Sequence, residues 1–315
     1  MSELKIGPIN AATPTPLGAN GIFDEQSARR LCRRWIDLKL DGVFVLGSMG
    51  EGALLSDATR RAFLGTALEV CAGRLTIFAG AADLSYSRMR ERALEYAAMG
   101  APCIVLCAPP EVSPGRAADD VRRTADACPV PCAYYEVPDR TGIALTLNEI
   151  LSVLAHPNIV ALKDSTANPL ISQGIAAEGL RPTGVTLLDG CEYRTAFSQA
   201  LGYDGVLHGG GVLTGRRVRA IWDLARSGKL REAIALDREN SLFLASVYNR
   251  FSRPLQNTIG QKYALKLLGV LEQANVEVEQ SLDDASRRRI AQALDADRQW
   301  LAPAQDLTEI PASSF

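Results

Sequence analysis

Pro131-Cys-Ala-Tyr-Tyr135-Glu-Val-Pro138-Asp-Arg140-Thr-Gly-Ile-Ala-Leu-Thr146-Leu-Asn-Glu149-Ile-Leu-Ser-Val-Leu-Ala-His-Pro157-Asn-Ile159-Val-Ala-Leu-Lys163-Asp164 holds one complete strand–helix–strand unit. Its two ends, Pro131–Tyr135 and Ile159–Lys163, are short runs that are apolar until their last residues. Runs without polar alternation suit strands of a parallel sheet covered on both faces. Between them, Thr146-Leu-Asn-Glu149 reads as a capping box, followed by Ile150, Leu151 and Leu154 at helical spacing.

The same unit recurs in both directions. Ile6–Ala12, Val43–Leu46, Leu75–Ala79 and Cys103–Cys107 precede it, and Val185–Leu188 and Gly205–Leu207 follow. Helix signals fill the gaps. Asp24 opens a pattern that closes at Asp41-Gly42, Ser56 opens one that stops at Gly73, and a third runs from Ser85 to Gly100. Eight strand–helix repeats within about 220 residues predict an α/β fold, a closed (β/α)8 TIM barrel. A doubly wound open sheet is the second choice, but the glycine fingerprint expected after its first strand is missing.

Beyond the eighth run the chain stays helical. Val218, Ile221, Trp222 and Ala225 share one face, and Leu230–Val247, Lys262–Leu268 and Asp283–Trp300 are further helices. Residues 1–225 therefore read as the barrel carrying the active site, and residues 226–315 as a C-terminal helical segment packed on it. The tail from Pro303 is expected to be loosely held.

Composition narrows the class. The 315 residues carry 34 Lys+Arg against 36 Asp+Glu, a formal net charge of −2, which argues against nucleic-acid binding through bulk charge. No run of 18 apolar residues suggests a membrane span. The start, Met1-Ser-Glu-Leu-Lys5, does not read as a secretory signal. Seven cysteines, none in a C-x-x-C pair, and only two histidines make a zinc site a poor reading. The cysteines read as reduced core residues of a cytoplasmic protein.

In such a barrel, chemistry sits at the C-terminal ends of the strands. Lys163 closes the sixth run, where its ammonium must face the mouth or lose solvent; desolvation favours the neutral, nucleophilic amine that Schiff-base chemistry needs. The plainer reading is a lysine that snorkels out and pairs with Asp164. Tyr134 and Tyr135 close the fifth run, and only one can point inward; that phenol can shuttle a proton or merely pack. Gly47-Ser-Met-Gly50-Glu51-Gly52 can turn backbone N–H groups toward an anion, although a plain tight turn explains it nearly as well. Arg140 can clamp a carboxylate with its fork, or pair with Asp139.

Gly47-Ser-Met-Gly-Glu51, Tyr135-Glu-Val-Pro138 with Arg140-Thr-Gly142, and Ala161-Leu-Lys163-Asp164 stand in the order and at the distances of a known superfamily. Together they resemble the dihydrodipicolinate synthase / N-acetylneuraminate lyase superfamily of class I, aldolase-type lyases. Ile259–Gly269 is similar to its C-terminal helix, and the likeness covers roughly residues 5 to 300. The resemblance implies a Schiff base between Lys163 and pyruvate or another 2-oxo acid, with Tyr135 as proton shuttle. It implies that Gly47, Ser48 and Met49 hold the 2-oxo acid carboxylate through loop amides, that Arg140 binds a distal carboxylate, and that Leu207 lines the pocket. It implies no cofactor and no metal, and a homotetramer or dimer.

The departures direct the substrate reading. The glycine loop has Met49 where a second hydroxyl is usual, and Ala108-Pro-Pro110 stands where a tyrosine pair completes a hydroxyl relay. Glu136 follows the tyrosine where Asn is common; it can hold a substrate hydroxyl or amine, or face away. His208 ends the eighth run and can act on the distal part of the substrate, or simply be a hydrogen-bonded rim residue. The altered relay favours a catabolic aldolase or dehydratase acting on a hydroxylated 2-oxo acid. Arg140 supports the alternative, 4-hydroxy-tetrahydrodipicolinate synthase. A non-catalytic 2-oxo acid binding barrel is the reading of another class.

Overall fold

The computed structural model describes residues 4–110, 112–176, 180–248, 256–277 and 281–301. Eight parallel strands close into a barrel in sequence order. They are β1 (Ile9–Ala12), β2 (Gly42–Val45), β3 (Thr76–Gly80), β4 (Cys103–Cys107), β5 (Cys132–Glu136), β6 (Ile159–Asp164), β7 (Thr186–Asp189) and β8 (Gly205–His208). Every apolar run of the sequence thus becomes a strand, with ends displaced by up to three residues. Gly7 and Pro8, just ahead of Ile9, explain the largest shift, since neither sustains a ladder.

The helices following the strands are α1 (Glu25–Asp37), α2 (Asp57–Cys71), α3 (Tyr86–Ala98), α4 (Pro114–Ala127), α5 (Pro138–Thr141), α6 (Leu147–Leu154), α7 (Pro169–Ala176), α8 (Thr195–Ser198) and α9 (Gly211–Arg226). Their N-termini are fixed locally. Asp24, Ser56, Ser85 and Ser113 each accept a backbone N–H three residues on, and Thr146 with Glu149 forms the expected capping box. Each such cap contributes about 1 kcal/mol and sets where the helix enters.

Two apolar cores result. The larger lies between sheet and helices and includes Trp35 edge-on to Phe63, with ring centroids 6.3 Å apart. The smaller fills the barrel with Ala12, Phe44, Phe78, Val105, Tyr135, Ala161, Leu188 and Leu207. The chain then adds α10 (Leu230–Val247), α11 (Gln256–Leu267), α12 (Asp284–Ala296) and α13 (Arg298–Leu301). The pattern from Asp283 to Trp300 is therefore two helices, broken at Asp297. The tail from Pro303 lies outside the described residues. Among those residues no helix is long and apolar enough to cross a membrane.

Pairing between β5 and β6 positions the site. Cys132 pairs with Ile159, but Ala133 pairs with Ala161, so β6 carries one extra residue at Val160. That irregularity brings Tyr135 opposite Lys163 and Glu136 opposite Asp164. Without it Tyr135 would face Leu162, a residue of the outer core. Cys107, Tyr135, Lys163 and Leu188 thus lie side by side on four neighbouring strands.

Candidate active site

Lys163 is buried, 7% exposed, at the mouth end of β6. Its Nζ lies 4.2 Å from the centroid of the Tyr135 ring and 5.1 Å from that of Phe44. Those two rings meet edge to face, with centroids 5.6 Å apart. Lys163 therefore neither snorkels to solvent nor pairs with Asp164, whose carboxylate instead accepts from the Thr166 N–H and from the Tyr203 hydroxyl at 2.6 Å. An amine walled by two π-faces and an apolar strand layer is shielded from bulk water, the setting in which it can meet a carbonyl carbon.

The choice between the two tyrosines is settled by the pleat. Tyr135 points into the barrel core, and Tyr134 packs in the outer one. Glu136 follows Tyr134 outward. Its carboxyl receives the Tyr134 hydroxyl and, at 3.1 Å, the Leu145 N–H. Burial pushes the Glu136 carboxyl up to about 7. The structure does not bring Glu136 to the amine; alternation along β5 places it behind the barrel wall. Its part is to anchor the chain that follows α5.

The glycine loop folds over the mouth by consecutive turns, with Gly50 N–H donating to Gly47 O and Gly52 N–H to the same oxygen. A side chain at Gly52 would put its Cβ 1.8 Å from Leu46 O, and one at Gly47 would strike the Phe44 ring at 2.6 Å. These two positions need glycine because the loop lies directly on β2. The N–H groups of Ser48 and Met49 have no acceptor among the described residues. Such amides at a turn are ready acceptors of a carboxylate.

Gly47, Ser48, Cys107, Ala108 and Arg140 line one cavity of about 230 Å³. Cys107 joins it to the amine, since its thiol sits beside Tyr135 in the ladder and feels the Lys163 charge. Arg140 stands at the outer edge, on α5, whose end is set by Gly142 in the left-handed region (φ 71°). Leu207 lies in the barrel core with Leu188 and Ala161. His208 is buried, and neither ring nitrogen has a partner among the described residues. Burial, then the charges of Lys163 and Arg194, push its pKa down to about 3, so the ring is neutral at ordinary pH.

Three residues near the amine carry no mark in the sequence. Phe44 lies in a strand like any other apolar residue. Glu192, in the loop after β7, accepts the Gly210 N–H at 2.6 Å and lies 3.4 Å from the Tyr248 hydroxyl. Burial raises the Glu192 pKa while the Lys163 charge opposes it, which puts the carboxyl within electrostatic reach of the amine. Tyr248 comes from the end of α10, and its hydroxyl with Met49 crowds Gly209. Among the described residues no His, Cys, Asp and Glu side chains group in threes to hold a metal ion.

A parallel barrel with a shielded lysine and an adjoining phenol at its mouth defines a class I, aldolase-type lyase. The dihydrodipicolinate synthetase family model matches residues 5–296, and the chain belongs to that family. It is 29% identical to the 4-hydroxy-tetrahydrodipicolinate synthase of Xanthomonas campestris over 269 residues, 85% of this chain and 87% of that one. It is 32% identical to the enzyme of the same name from Stenotrophomonas maltophilia R551-3 over 207 residues, 65% of this chain and 69% of that one. Among solved structures, dihydrodipicolinate synthase DapA-2 of Bacillus anthracis superposes with a TM-score of 0.86 at 19% identity, covering 93% of this chain and 99% of that one. CdNal of Clostridium difficile, solved in complex with mannosamine, gives 0.84 at 18% identity, covering 93% and 99%. At these identities the superpositions speak for the fold alone.

Proposed function

We propose that the chain forms a Schiff base between Lys163 and pyruvate or another 2-oxo acid, and cleaves or builds a bond beyond C3. The observation that carries this reading is the Lys163 amine held 4.2 Å from the ring of Tyr135 in a walled strand layer. The amide groups of Ser48 and Met49 suit the carboxylate. The neutral amine then adds to C2, and the carbonyl oxygen takes a proton and leaves as water. The resulting iminium withdraws the electron pair of the C3–C4 bond in aldol cleavage, or stabilises the C3 carbanion through which water or ammonia is expelled. Tyr135, on the neighbouring strand, supplies and recovers the protons.

The mouth beyond the amine, with Glu192, Tyr248 and His208, offers polar groups to a hydroxylated substrate. That favours aldol cleavage or dehydration of a hydroxylated 2-oxo acid. A second reading, 4-hydroxy-tetrahydrodipicolinate synthase, draws on Arg140 at the edge of the cavity and on the names of the relatives above.

Borohydride reduction in the presence of pyruvate tests the shared step. A pyruvate-derived mass on the peptide carrying Lys163 is expected. An unmodified chain would mean a barrel that binds without bonding, and would overturn the proposal. Turnover of hydroxylated 2-oxo acids with release of pyruvate, against condensation of pyruvate with aldehydes, then separates the two readings.

A further inference from the structure

The loop Cys128-Pro-Val-Pro-Cys132 joins α4 to β5 at the foot of the barrel, the end away from Lys163. Asn158, just ahead of β6, holds the loop folded. Its Nδ2 donates to Ala125 O at 2.9 Å and to Cys128 O and Val130 O at 3.0 Å each. The Cys132 N–H donates to Asn158 O at 2.8 Å, which fixes the start of β5 to the same residue. One amide group thus gathers three carbonyls, and the chain turns back on itself. The Cys128 and Cys132 thiols meet as a result and hydrogen-bond to one another.

The two sulfurs differ. Cys128 keeps 6% of its surface exposed, whereas Cys132 is fully buried. The hydrogen bond from the Cys132 thiol, opposed by partial burial and aided by the Val130 N–H, holds the Cys128 thiol below its ordinary pKa. The proton rests on Cys132, whose thiol is pushed up by the same bond and by burial, and whose Sγ lies 3.7 Å from Val130 O. An accessible thiolate beside a second thiol is the arrangement of a redox-sensitive pair. The other five cysteines lack it. Burial pushes the Cys103, Cys107 and Cys191 thiols up, that of Cys107 to about 12. Cys32 and Cys71 hydrogen-bond in the same way between α1 and α2, but both are sealed from solvent, so an oxidant meets no surface there.

We infer that Cys128 and Cys132 form a reversible dithiol–disulfide couple, in which Cys128 attacks a hydroperoxide and Cys132 closes the bridge. The Cys128 sulfur breaks the O–O bond of the peroxide and keeps one oxygen as a sulfenic acid. The other oxygen leaves as hydroxide and takes a proton to give water. The Cys132 sulfur then displaces the bound oxygen, which leaves as a second water, and the S–S bond forms. The pair gives up two electrons and two protons, and with them hydrogen peroxide is reduced to two waters. A small dithiol reverses the change and is itself oxidised to a disulfide. The bridge stands where the pairing of β5 with β6 shifts, between Cys132 and Ala133, on the strand that carries Tyr135.

Treatment of the full native chain with hydrogen peroxide, then alkylation in denaturant and tryptic digestion, tests this. Residues 124–140 form one tryptic peptide, and Cys128 and Cys132 are its only cysteines. The peptide is expected to become lighter by two hydrogen atoms, to take up no alkylating agent, and to recover both thiols in dithiothreitol. In C132S, with no second thiol to close the bridge, the sulfenic acid is expected to persist on Cys128 and to be captured by dimedone. C128S is expected to slow oxidation of this peptide about tenfold or more. K163A is expected to form the bridge as the parent chain does, which keeps the result apart from the Schiff-base reading. The parent chain decides by itself whether the bridge forms, and the variants assign the order of attack. Five outcomes overturn the inference: thiols that stay alkylatable after peroxide, a bridge formed only once urea unfolds the chain, a bridge at Cys32–Cys71 instead, an oxidation that dithiothreitol does not reverse, or a C128S peptide oxidised as fast as the parent.

Discussion

Lys262 of α11 and Glu51 of the glycine loop form an ion pair in which neither side chain has any exposed surface, with Nζ 2.5 Å from Oε1. The second oxygen of Glu51 accepts the Glu277 N–H at 2.6 Å, and the ammonium also donates to Asn275 O at 2.6 Å. Burial pushes the Lys262 pKa down, and the Glu51 carboxylate opposes it. Glu51 holds a left-handed backbone (φ 57°) that an isolated loop would rarely keep. The C-terminal segment therefore reaches over the barrel and fixes the loop whose amides face the mouth. Gly260 permits this close approach, since a Cβ there would lie 2.1 Å from Val247 O on α10.

Removing one member of such a pair strands the other. K262M is expected to cost about 3–5 kcal/mol of stability. The double variant K262M/E51Q is expected to recover part of that loss, because no bare charge remains buried. Thermal melts read both, and trapping of pyruvate by borohydride reads the loop. A loss below about 1 kcal/mol in K262M would show that the pair does not hold the segment down.

Tyr135 to Phe keeps the ring that packs on Phe44 and Lys163 and removes only the hydroxyl. The fold and the melting temperature are expected to stay within a few degrees. Turnover of the best substrate is expected to fall about 10²- to 10⁴-fold, the usual contribution of a positioned acid–base group. Full activity in Y135F would remove the phenol from the reaction and leave it a packing residue.

The strands were readable because a parallel sheet buried on both faces leaves continuous apolar runs, and Lys163 was visible as the exception at the end of one. The register was not. Nothing in Cys132–Glu136 or Ile159–Asp164 announces the extra residue at Val160, yet that residue decides that Tyr135, and not Glu136, stands opposite Lys163. Glu136 looked like a pocket residue in the sequence because it adjoins Tyr135; strand alternation turns it to Tyr134 and Leu145 instead. Glu192 and Tyr248 were invisible for another reason. They lie in a loop and at a helix end, far apart in the chain, and meet only when α10 packs over the barrel.

Glu136 also makes a prediction for pH. Its folded pKa of about 7 stands above the ordinary 4.5 because burial disfavours the charge. Between those values the folded chain binds the proton more tightly than the unfolded chain, so stability falls as pH rises through that window. The loss is complete above about pH 7 and amounts to about 3 kcal/mol at most. E136Q, which cannot ionise, is expected to flatten the fall in melting temperature between pH 4.5 and 7. An equally steep fall in the variant would assign the slope to other groups.

Substitution at Glu192 is expected to separate binding of the 2-oxo head from binding of the rest of the proposed substrate. Glu192 is tied to the Gly210 N–H and lies beside the Tyr248 hydroxyl, so an arriving hydroxyl group meets an acceptor already oriented. Glu192 follows β7 and the Tyr248 hydroxyl lies by Gly209, after β8, whereas Arg140 follows β5. E192Q keeps the size and the Gly210 bond but loses the charge. It is expected to leave borohydride trapping of pyruvate unchanged, because pyruvate has no distal hydroxyl. For a hydroxylated 2-oxo acid, kcat/KM is expected to fall about tenfold or more, as for loss of one charged hydrogen bond of roughly 1.5–3 kcal/mol. Equal losses for both compounds would mean that Glu192 supports the amine itself, and no loss for either would place the distal part of the substrate on the Arg140 side, as the synthase reading requires.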